Sequence, residues 1–225
     1  MSGITTIVFD LDGTLLNTLD DLHTSVNYAL AQHGYPTRSK EDVRMALGNG
    51  VAYLIEKSLP AGHSNKAIVE QVLTTFRPYY LKHSMDNTRP YEGVAEMLAQ
   101  VKAAGYKTAI VSNKPDAAVQ ELYDRFFKKY IDIAIGEKPD LQRKPAPDMV
   151  FDAIKRLNSS KEEAIYVGDS EVDNLTASNS GLSFVAVSWG FRGRQFLQEI
   201  GAANIIDQPS QLIDAIRDFK SISTP

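Results

Sequence analysis

The chain has 225 residues, of which 43% are hydrophobic and 23% charged, a composition typical of a globular protein with a buried core. Its net charge of −4 argues against a surface built to bind nucleic acid or an anionic membrane. Because it has no cysteine, disulfides, thiolate catalysis and cysteine-ligated metals are excluded. No signal-type segment precedes the first apolar run, and no run approaches the ~20 residues that span a bilayer. We therefore expect a soluble, cytoplasmic protein.

The first predicted element is a strand over residues 4–9, because this run is rich in β-branched and aromatic residues. It leads directly into Asp10, Asp12 and Gly13, so two carboxylates lie at the end of a strand. Ligands of open α/β sheets bind at the carboxyl ends of strands. Two neighbouring carboxylates repel each other unless a cation compensates, and Mg²⁺ takes such oxygen ligands. The alternative is an acidic turn without metal, since aspartate and glycine are common in turns.

The next part of the chain has no predicted strand. Its helical patterns cover residues 19–31, 40–47, 51–59 and 65–83. We therefore predict two domains, a core made of residues 1–16 and 88–225 and a helical cap made of residues 17–87. A cap inserted after the acidic turn could exclude water and contact the substrate. An extra helical layer without a gating role is the alternative interpretation.

After this insert, strands and helices alternate, which predicts a parallel sheet with right-handed crossovers. The predicted strands cover residues 108–111, 131–135, 164–167, 184–187 and 205–206. The predicted helices cover residues 94–104, 115–127, 147–157 and 210–219. The fold class is therefore α/β, with a Rossmann-like parallel sheet core and an inserted α-helical cap domain.

Three further polar segments carry candidate functional residues. Ser112 and Asn113 follow a predicted strand and precede a predicted helix, where either phosphate binding or a serine cap is favoured. Lys144 lies in a turn bracketed by prolines, from which it could neutralise a carboxylate and a phosphoryl group. Asp169 and Asp173 follow another predicted strand and would share one face of a helical turn. Compensation of the helix dipole is the alternative role of these two acids.

The order of these segments is more informative than any one of them. Parallel strands end at the same edge of a sheet, so the segments would meet in one crevice. Four carboxylates, one or two cations and a hydroxyl would then surround a single point. That combination suits phosphoryl transfer assisted by Mg²⁺, which depends on positioning and on charge neutralisation.

The motifs resemble those of the haloacid dehalogenase-like superfamily, and specifically its phosphatases with a helical C1-type cap. The resemblance covers essentially the whole chain. The matching residues are Asp10-Leu11-Asp12-Gly13-Thr14, Ser112, Lys144 and Gly168-Asp169 with Asp173.

This resemblance implies the roles of the first two acids. Asp10 would be the nucleophile that forms an aspartyl-phosphate, which divides hydrolysis into two easier steps. Asp12 would be the general acid and base, since it protonates the leaving oxygen and later activates water. The dehalogenase and phosphonate-cleaving branches lack this second acid, so Asp12 favours a phosphatase.

The resemblance also implies a Mg²⁺ cofactor and a phosphate site. The metal ligands would be Asp10, Asp169 and the main-chain carbonyl of Asp12, with Asp173 supporting them. The phosphate site would be formed by three side chains that belong to the second and third motifs: Ser112, Asn113 and Lys144.

Several segments are similar to the phosphoglycolate phosphatase subgroup, namely Gly48-Asn49-Gly50 and residues 88–94, 112–115 and 188–192. Phe191 and Asn17 depart from the subgroup, which usually has tyrosine and aspartate there. The main chain of Gly48, Asn49 and Gly50 could form an anion nest for a small carboxylate, with Arg44 and Lys114 as candidate cations. A helix-breaking turn is the alternative.

Other functions remain open on the sequence alone. A promiscuous sugar-phosphate or nucleotide phosphatase and a pyrophosphatase are the first alternatives. A phosphoglucomutase-type enzyme would need a histidine soon after the first motif, and His23 lies near that position. A non-catalytic binding protein is a further alternative, but no catalytic acid is missing. The expected partner is a small phosphorylated metabolite, without nucleic acid or membrane, and the oligomeric state is not predicted.

Overall fold

A computed structural model describes residues 3–222 of the chain and divides the chain into two compact units. The first unit combines Met1–Leu16 with Pro90–Pro225, and the second is the continuous segment Asn17–Arg89. Within residues 3–222, no helix has both the length and the apolar character that a membrane span requires.

The first unit is built around a parallel sheet. The strands of the chain are β1 (Thr6–Phe9), β2 (Leu16–Asn17), β3 (Arg89–Pro90), β4 (Lys107–Pro115), β5 (Ile133–Glu137), β6 (Ala164–Gly168), β7 (Ser183–Val187) and β8 (Ile205–Ile206). Six of them form one sheet in the order β5-β4-β1-β6-β7-β8, in which all adjacent strands are parallel. The short strands β2 and β3 pair with each other. The predicted α/β fold with a Rossmann-like core is confirmed.

The register of the central strands aligns their carboxyl ends. Phe9, the last residue of β1, is paired with Ile110 on β4 and with Val167 on β6. The polar residues that follow these three positions therefore meet at one edge of the sheet.

Helices cover both faces of this sheet. The helices of the chain are α1 (Leu19–Gln32), α2 (Lys40–Met45), α3 (Val51–Ser58), α4 (Lys66–His83), α5 (Val94–Ala103), α6 (Asp116–Leu122), α7 (Asp148–Arg156), α8 (Glu171–Ser180), α9 (Gly193–Glu199) and α10 (Leu212–Ile222). Ile7 and Phe9 of β1 pack in a buried cluster with residues of α5, α6 and α10. Val8 points to the opposite face and packs with residues of α7 and α8. Since β1 is buried on both faces, its residues from Ile7 to Phe9 are all apolar.

The second unit is helical and consists mainly of α1, α2, α3 and α4. Buried residues recur along α1 and α4 at helical spacing, and these two helices pack against each other. Ser39 and Asp42 form a capping box that begins α2, and Asn65 caps α4. These features explain why the four predicted helices are confirmed to within a few residues.

A buried carboxylate closes this helical unit. Asp21, in the first turn of α1, is only 2% exposed. It accepts hydrogen bonds from the main-chain N–H groups of Asn87 (2.9 Å) and Thr88 (2.8 Å) and from the Asn87 side-chain amide (2.9 Å). The two ends of the inserted segment are therefore tied together within the unit itself.

One prediction about the core is wrong. Ser112 does not lie at a helix N-terminus, because β4 continues through residues 112–115 and α6 begins at Asp116 with Pro115 as its N-cap. The register of β4 against β5 shifts between Val111 and Pro115, and this irregularity extends the strand. Ser112 therefore lies on the extended strand, four residues before the first residue of α6. The predicted helix over residues 115–127 also ends in a π-helical turn, Tyr123–Phe127.

Candidate active site

Three buried carboxylates meet at the edge of the sheet. Asp10 follows β1, Asp169 follows β6, and Asp173 lies in the first turn of α8. One oxygen from each lies within 4.8 Å of the others. The main-chain N–H of Asp10 donates to the carbonyl of Val167 at 2.9 Å, so β1 and β6 remain paired at the site. The sheet thus brings together three of the four predicted acids.

Lys144 is the cation of this cluster. Its ammonium donates to Asp10 Oδ1 at 2.6 Å and to Asp173 Oδ1 at 2.8 Å, and it also contacts the hydroxyl of Tyr166 at 3.1 Å. The Lys144 side chain is only 3% exposed. Lys144 therefore holds two of the acids, Asp10 and Asp173, in fixed positions.

The side chain of Asn113 positions Lys144. Its carbonyl oxygen accepts from the main-chain N–H of Lys144 at 2.7 Å, and its amide donates to the main-chain carbonyl of Lys144 at 3.0 Å. Asn113 was predicted to bind phosphate. In the structure its amide group connects β4 to the loop that carries Lys144, which agrees with a supporting role by hydrogen bonding.

Tyr166 is a member of this cluster that the sequence analysis missed. It is completely buried on β6, and its hydroxyl donates to Asp173 Oδ1 at 3.2 Å. Its ring lies beneath the Lys144 ammonium, 5.7 Å from the ring centre. A hydroxyl in an otherwise apolar strand was the signal that could have identified it, because a buried tyrosine hydroxyl needs a polar partner.

The cluster holds more negative charge than Lys144 can neutralise. Burial, and then the charge of Asp173, raises the pKa of Asp10 to about 7 despite the nearby ammonium. Burial and the neighbouring acids also hold the pKa of Asp169 well above its ordinary value. Burial opposes the charged form of Lys144, but Asp10 and Asp173 outweigh it and raise the pKa of the lysine. Three carboxylates against one ammonium provide the charge and the oxygen ligands that a hard divalent cation requires.

The three acids differ in how their oxygens are used. Asp173 Oδ2 accepts from the main-chain N–H groups of Asp169 (3.2 Å) and Ser170 (3.1 Å) and from the Ser170 hydroxyl (2.6 Å). Its other oxygen accepts from Lys144 and Tyr166. The two oxygens of Asp173 thus accept five hydrogen bonds in all, which fits a supporting role.

The segment after β7 fixes the orientation of Asp169. The main-chain N–H of Phe191 donates to Asp169 Oδ2 at 2.7 Å, and the Thr14 hydroxyl donates to Asp169 Oδ1 at 3.2 Å. The indole N–H of Trp189 donates to the Thr14 carbonyl at 3.0 Å. A Cβ at Gly190 would collide with the Asp169 side chain, so glycine is required for this close approach.

The fourth acid, Asp12, forms a separate group with the end of β4. The Lys114 ammonium donates to Asp12 Oδ1 at 2.6 Å, and the Ser112 hydroxyl donates to Asp12 Oδ2 at 3.4 Å. The main-chain N–H of Lys114 in turn donates to the Ser112 hydroxyl at 3.1 Å. The Asp12 side chain is 19% exposed, whereas that of Lys114 is 3% exposed. Lys114, a weak candidate from the sequence, is thus a direct partner of Asp12.

The remaining candidates belong to the helical unit. Gly48 and Gly50 have φ values of 103° and 82°, and Gly50 is the N-cap of α3. Both glycines and Asn49 therefore form the turn between α2 and α3. Arg44 forms a two-pronged ion pair with Glu41 on α2.

Comparisons with known proteins agree with this fold. A profile of haloacid dehalogenase-like hydrolases matches residues 7–187. The chain is 34% identical to a phosphoglycolate phosphatase of Pseudomonas syringae pv. tomato over 223 residues, which cover 95% of this chain and 80% of that protein. It is 31% identical to the pyrophosphatase PpaX of Bacillus cereus over 219 residues, which cover 96% of this chain and 98% of that protein.

Solved structures give the same result. The chain is similar to the crystal structure of a "putative phosphoglycolate phosphatase" from Lactobacillus delbrueckii subsp. bulgaricus, with a TM-score of 0.90 and 35% identity. The match covers 96% of this chain and 99% of that one. The family match and the named relatives together support a phosphoric monoester hydrolase. The chain belongs to the haloacid dehalogenase-like hydrolase family, and within that family it resembles the phosphoglycolate phosphatases, as its motifs predicted.

Proposed function

We propose that this chain is a Mg²⁺-dependent phosphatase that hydrolyses small phosphate monoesters through an aspartyl-phosphate, with 2-phosphoglycolate as the leading substrate. The enzyme is a phosphoric monoester hydrolase. The observation that carries the proposal is the position of Asp10, which Lys144 holds at 2.6 Å beside Asp169 and Asp173. Asp12, two residues further on, supplies a second acid that is partly exposed.

In the first step, an Asp10 oxygen attacks phosphorus and the bond between phosphorus and the ester oxygen breaks. Asp12, in its protonated form, gives its proton to the leaving oxygen, which departs as an alcohol. Because Oδ1 of Asp10 is bonded to Lys144, the carboxylate is held in one orientation before the substrate binds.

In the second step, a water molecule attacks the phosphorus of the aspartyl-phosphate. Asp12, now a carboxylate, accepts a proton from that water, and the bond between phosphorus and the Asp10 oxygen breaks. Inorganic phosphate leaves, and Asp10 is restored. The same acid thus serves both steps, and the protons balance.

Electrostatic stabilisation comes from the surrounding residues. Ser112 and Lys144 would hold the phosphoryl group, since a hydroxyl and an ammonium donate to its oxygens. Asp10, Asp169 and the Asp12 carbonyl would hold Mg²⁺, which when bound neutralises the charge on the phosphoryl oxygens. Asp173 orients this set through Lys144 and the start of α8.

The relatives support the choice of substrate. Proteins named phosphoglycolate phosphatase and pyrophosphatase PpaX match nearly the whole chain. Their names indicate substrates that share one property, since each carries a second anionic group close to the bond that is hydrolysed. Pyrophosphate is therefore the second candidate. The role of the helical unit as a cap, with Arg44 and the turn at Gly48, Asn49 and Gly50 as carboxylate contacts, belongs to the same proposal.

The mutase alternative is not favoured by the surroundings of His23. Its Nε2 lies 3.0 Å from the carbonyl of Arg38 and 2.9 Å from the amide of Asn27. Both partners belong to the helical unit, so the histidine has a structural role there.

A substrate panel tests the proposed function. Phosphate release would be measured with Mg²⁺ from 2-phosphoglycolate, pyrophosphate, nucleoside monophosphates and hexose phosphates. We expect kcat/KM for 2-phosphoglycolate to exceed the others by at least about tenfold, which corresponds to ~1.4 kcal/mol in the transition state. Similar values for all esters would leave a phosphatase without this substrate, and no release from any ester would contradict the proposal.

The Asp12→Asn variant tests the acid-base role, because asparagine keeps the shape of the side chain but cannot transfer the proton. With an alkyl phosphate, whose leaving group needs a proton, we expect turnover to fall about 10²- to 10⁴-fold. With p-nitrophenyl phosphate, whose leaving group needs none, we expect one rapid equivalent of p-nitrophenolate and then slow turnover. Equal losses for both esters without such a burst would argue against this role.

A further inference from the structure

Lys114 is a buried cation at the active site that the proposed mechanism does not use. It lies near the end of β4, and its ammonium donates to Asp12 Oδ1 at 2.6 Å. Ser112 connects the same two residues, because its hydroxyl donates to Asp12 and accepts from the Lys114 main chain. A second lysine, Lys144, already serves Asp10 and Asp173. The site therefore contains one ammonium assigned to the nucleophile and another bound to the general acid.

The position of Asp12 fixes what Lys114 can contact. To protonate the leaving oxygen, a carboxyl oxygen of Asp12 must come within hydrogen-bond distance of it. In 2-phosphoglycolate, the carboxyl carbon is two bonds away from that same oxygen. The substrate carboxylate would therefore lie beside Asp12, and the ionised form of Asp12 that pairs with Lys114 would repel it. The ammonium of Lys114, already in contact with Asp12, is the group placed to offset this repulsion.

We propose that Lys114 recognises the second anion of the substrate and exchanges its contact with Asp12 for that anion, so that the enzyme selects phosphate esters with an anionic group two bonds from the leaving oxygen. This inference rests on the proposed function and adds the chemical class of the substrate. Lysine carries three donors, so it can bind the incoming anion before it releases Asp12. A substrate without the second anion has no group that takes the place of Asp12, so the ion pair stays intact and Lys114 adds nothing to the binding of that substrate.

Two esters of similar size separate this property from phosphatase activity in general. These are 2-phosphoglycolate and 2-hydroxyethyl phosphate, in which a neutral hydroxymethyl group replaces the carboxylate. For Lys114→Met, we expect kcat/KM for 2-phosphoglycolate to fall about 10- to 100-fold, the range of a lost hydrogen bond to a charged group. Most of this loss should appear in KM. The value for 2-hydroxyethyl phosphate should change less than about threefold, because no second anion is bound.

Two further variants complete the comparison. Lys114→Arg keeps the charge and should retain a preference for 2-phosphoglycolate. Lys107→Met is the matched control, because Lys107 begins the same strand at the opposite edge of the sheet and donates to the Asn158 carbonyl. This control should leave the values for both esters unchanged. Since removal of Lys114 leaves Asp12 without its cation, thermal unfolding would be recorded for each variant, and Lys114→Gln would replace a methionine variant that does not fold.

The outcomes distinguish the inference from the proposed function. A fall of equal size for both esters, or no change for either, would overturn the inference and leave the phosphatase assignment in place. The same holds if the unmodified enzyme hydrolyses 2-hydroxyethyl phosphate as well as 2-phosphoglycolate. If the unmodified enzyme releases phosphate from no ester with Mg²⁺, the proposed function fails, and the inference fails with it. A selective loss with 2-phosphoglycolate supports both.

Discussion

Asp10→Asn is expected to lower kcat/KM for every substrate by at least about 10³-fold, because asparagine cannot form the aspartyl-phosphate. Removal of a covalent nucleophile lowers turnover by this order of magnitude or more. The amide has nearly the same size as the carboxylate, so the variant keeps its contact distance to Lys144. Phosphate release from 2-phosphoglycolate is the measurement. Retention of more than about a tenth of the turnover would contradict the assignment of the nucleophile.

The same variant is not expected to lose stability. Burial and Asp173 raise the pKa of Asp10 to about 7, so the ionised carboxylate is disfavoured in the metal-free fold. A carboxyl whose pKa is raised in the folded state loses its contribution to stability as the pH rises from about 4 towards 7. The melting temperature of Asp10→Asn in EDTA should therefore equal or exceed that of the unmodified protein above pH 7. Asp214→Asn, at a highly exposed position, is the control for the substitution itself.

Removal of divalent metal by EDTA is expected to abolish turnover, and added Mg²⁺ should restore it. The physical reason is the excess charge of the buried cluster, in which one ammonium faces Asp10, Asp169 and Asp173. Binding of the ion to the folded state alone also stabilises the protein, by about 2.7 kcal/mol at 100 times its dissociation constant. For a chain of this size, that corresponds to a rise of ~5–10 °C in melting temperature.

Thermal unfolding with and without Mg²⁺ measures this effect independently of activity. Asp169→Asn should lose most of the Mg²⁺-dependent rise, because it removes a direct ligand. Asp207→Asn is the matched control, since Asp207 is an exposed carboxylate paired with Arg194 and should keep the full rise. Turnover that persists in EDTA, together with an unchanged melting temperature, would remove the metal from the mechanism.

The sequence was sufficient to predict the central part of the fold. Strands such as β1 and β6 are buried over their whole length and are mainly apolar, because a parallel sheet buries both faces, and that pattern is visible without a structure. The acids that follow these strands could be placed at one edge for the same reason. The helices α1 and α4 were recognisable because their buried residues recur at helical spacing.

Other features of the fold and the site depend on contacts between segments that are distant in the sequence. The local pattern of residue types does not indicate such contacts. Ser112 was expected at a helix terminus because it lies between a predicted strand and a predicted helix, but pairing with β5 extends the strand. The hydrogen bond from Phe191 to Asp169 is donated by the main chain, so the type of residue at position 191 does not indicate it. Similarly, the contact between Lys114 and Asp12 joins residues that are far apart in sequence. The partners of Asp169 and Asp12 were therefore beyond prediction, whereas the acids themselves were not.

The carboxylate of Asp21 has a consequence for the order in which the chain folds. Its hydrogen bonds to Asn87 and Thr88 close the helical unit using residues that precede the second part of the core. By contrast, Thr6 of β1 is paired with Lys107 and Ala164, which the ribosome adds much later. Domains fold as units during synthesis, starting from the N-terminal side. The inserted helices can thus fold first. During that time β1 stays unpaired, because its partner strands β4 and β6 have not yet been synthesised.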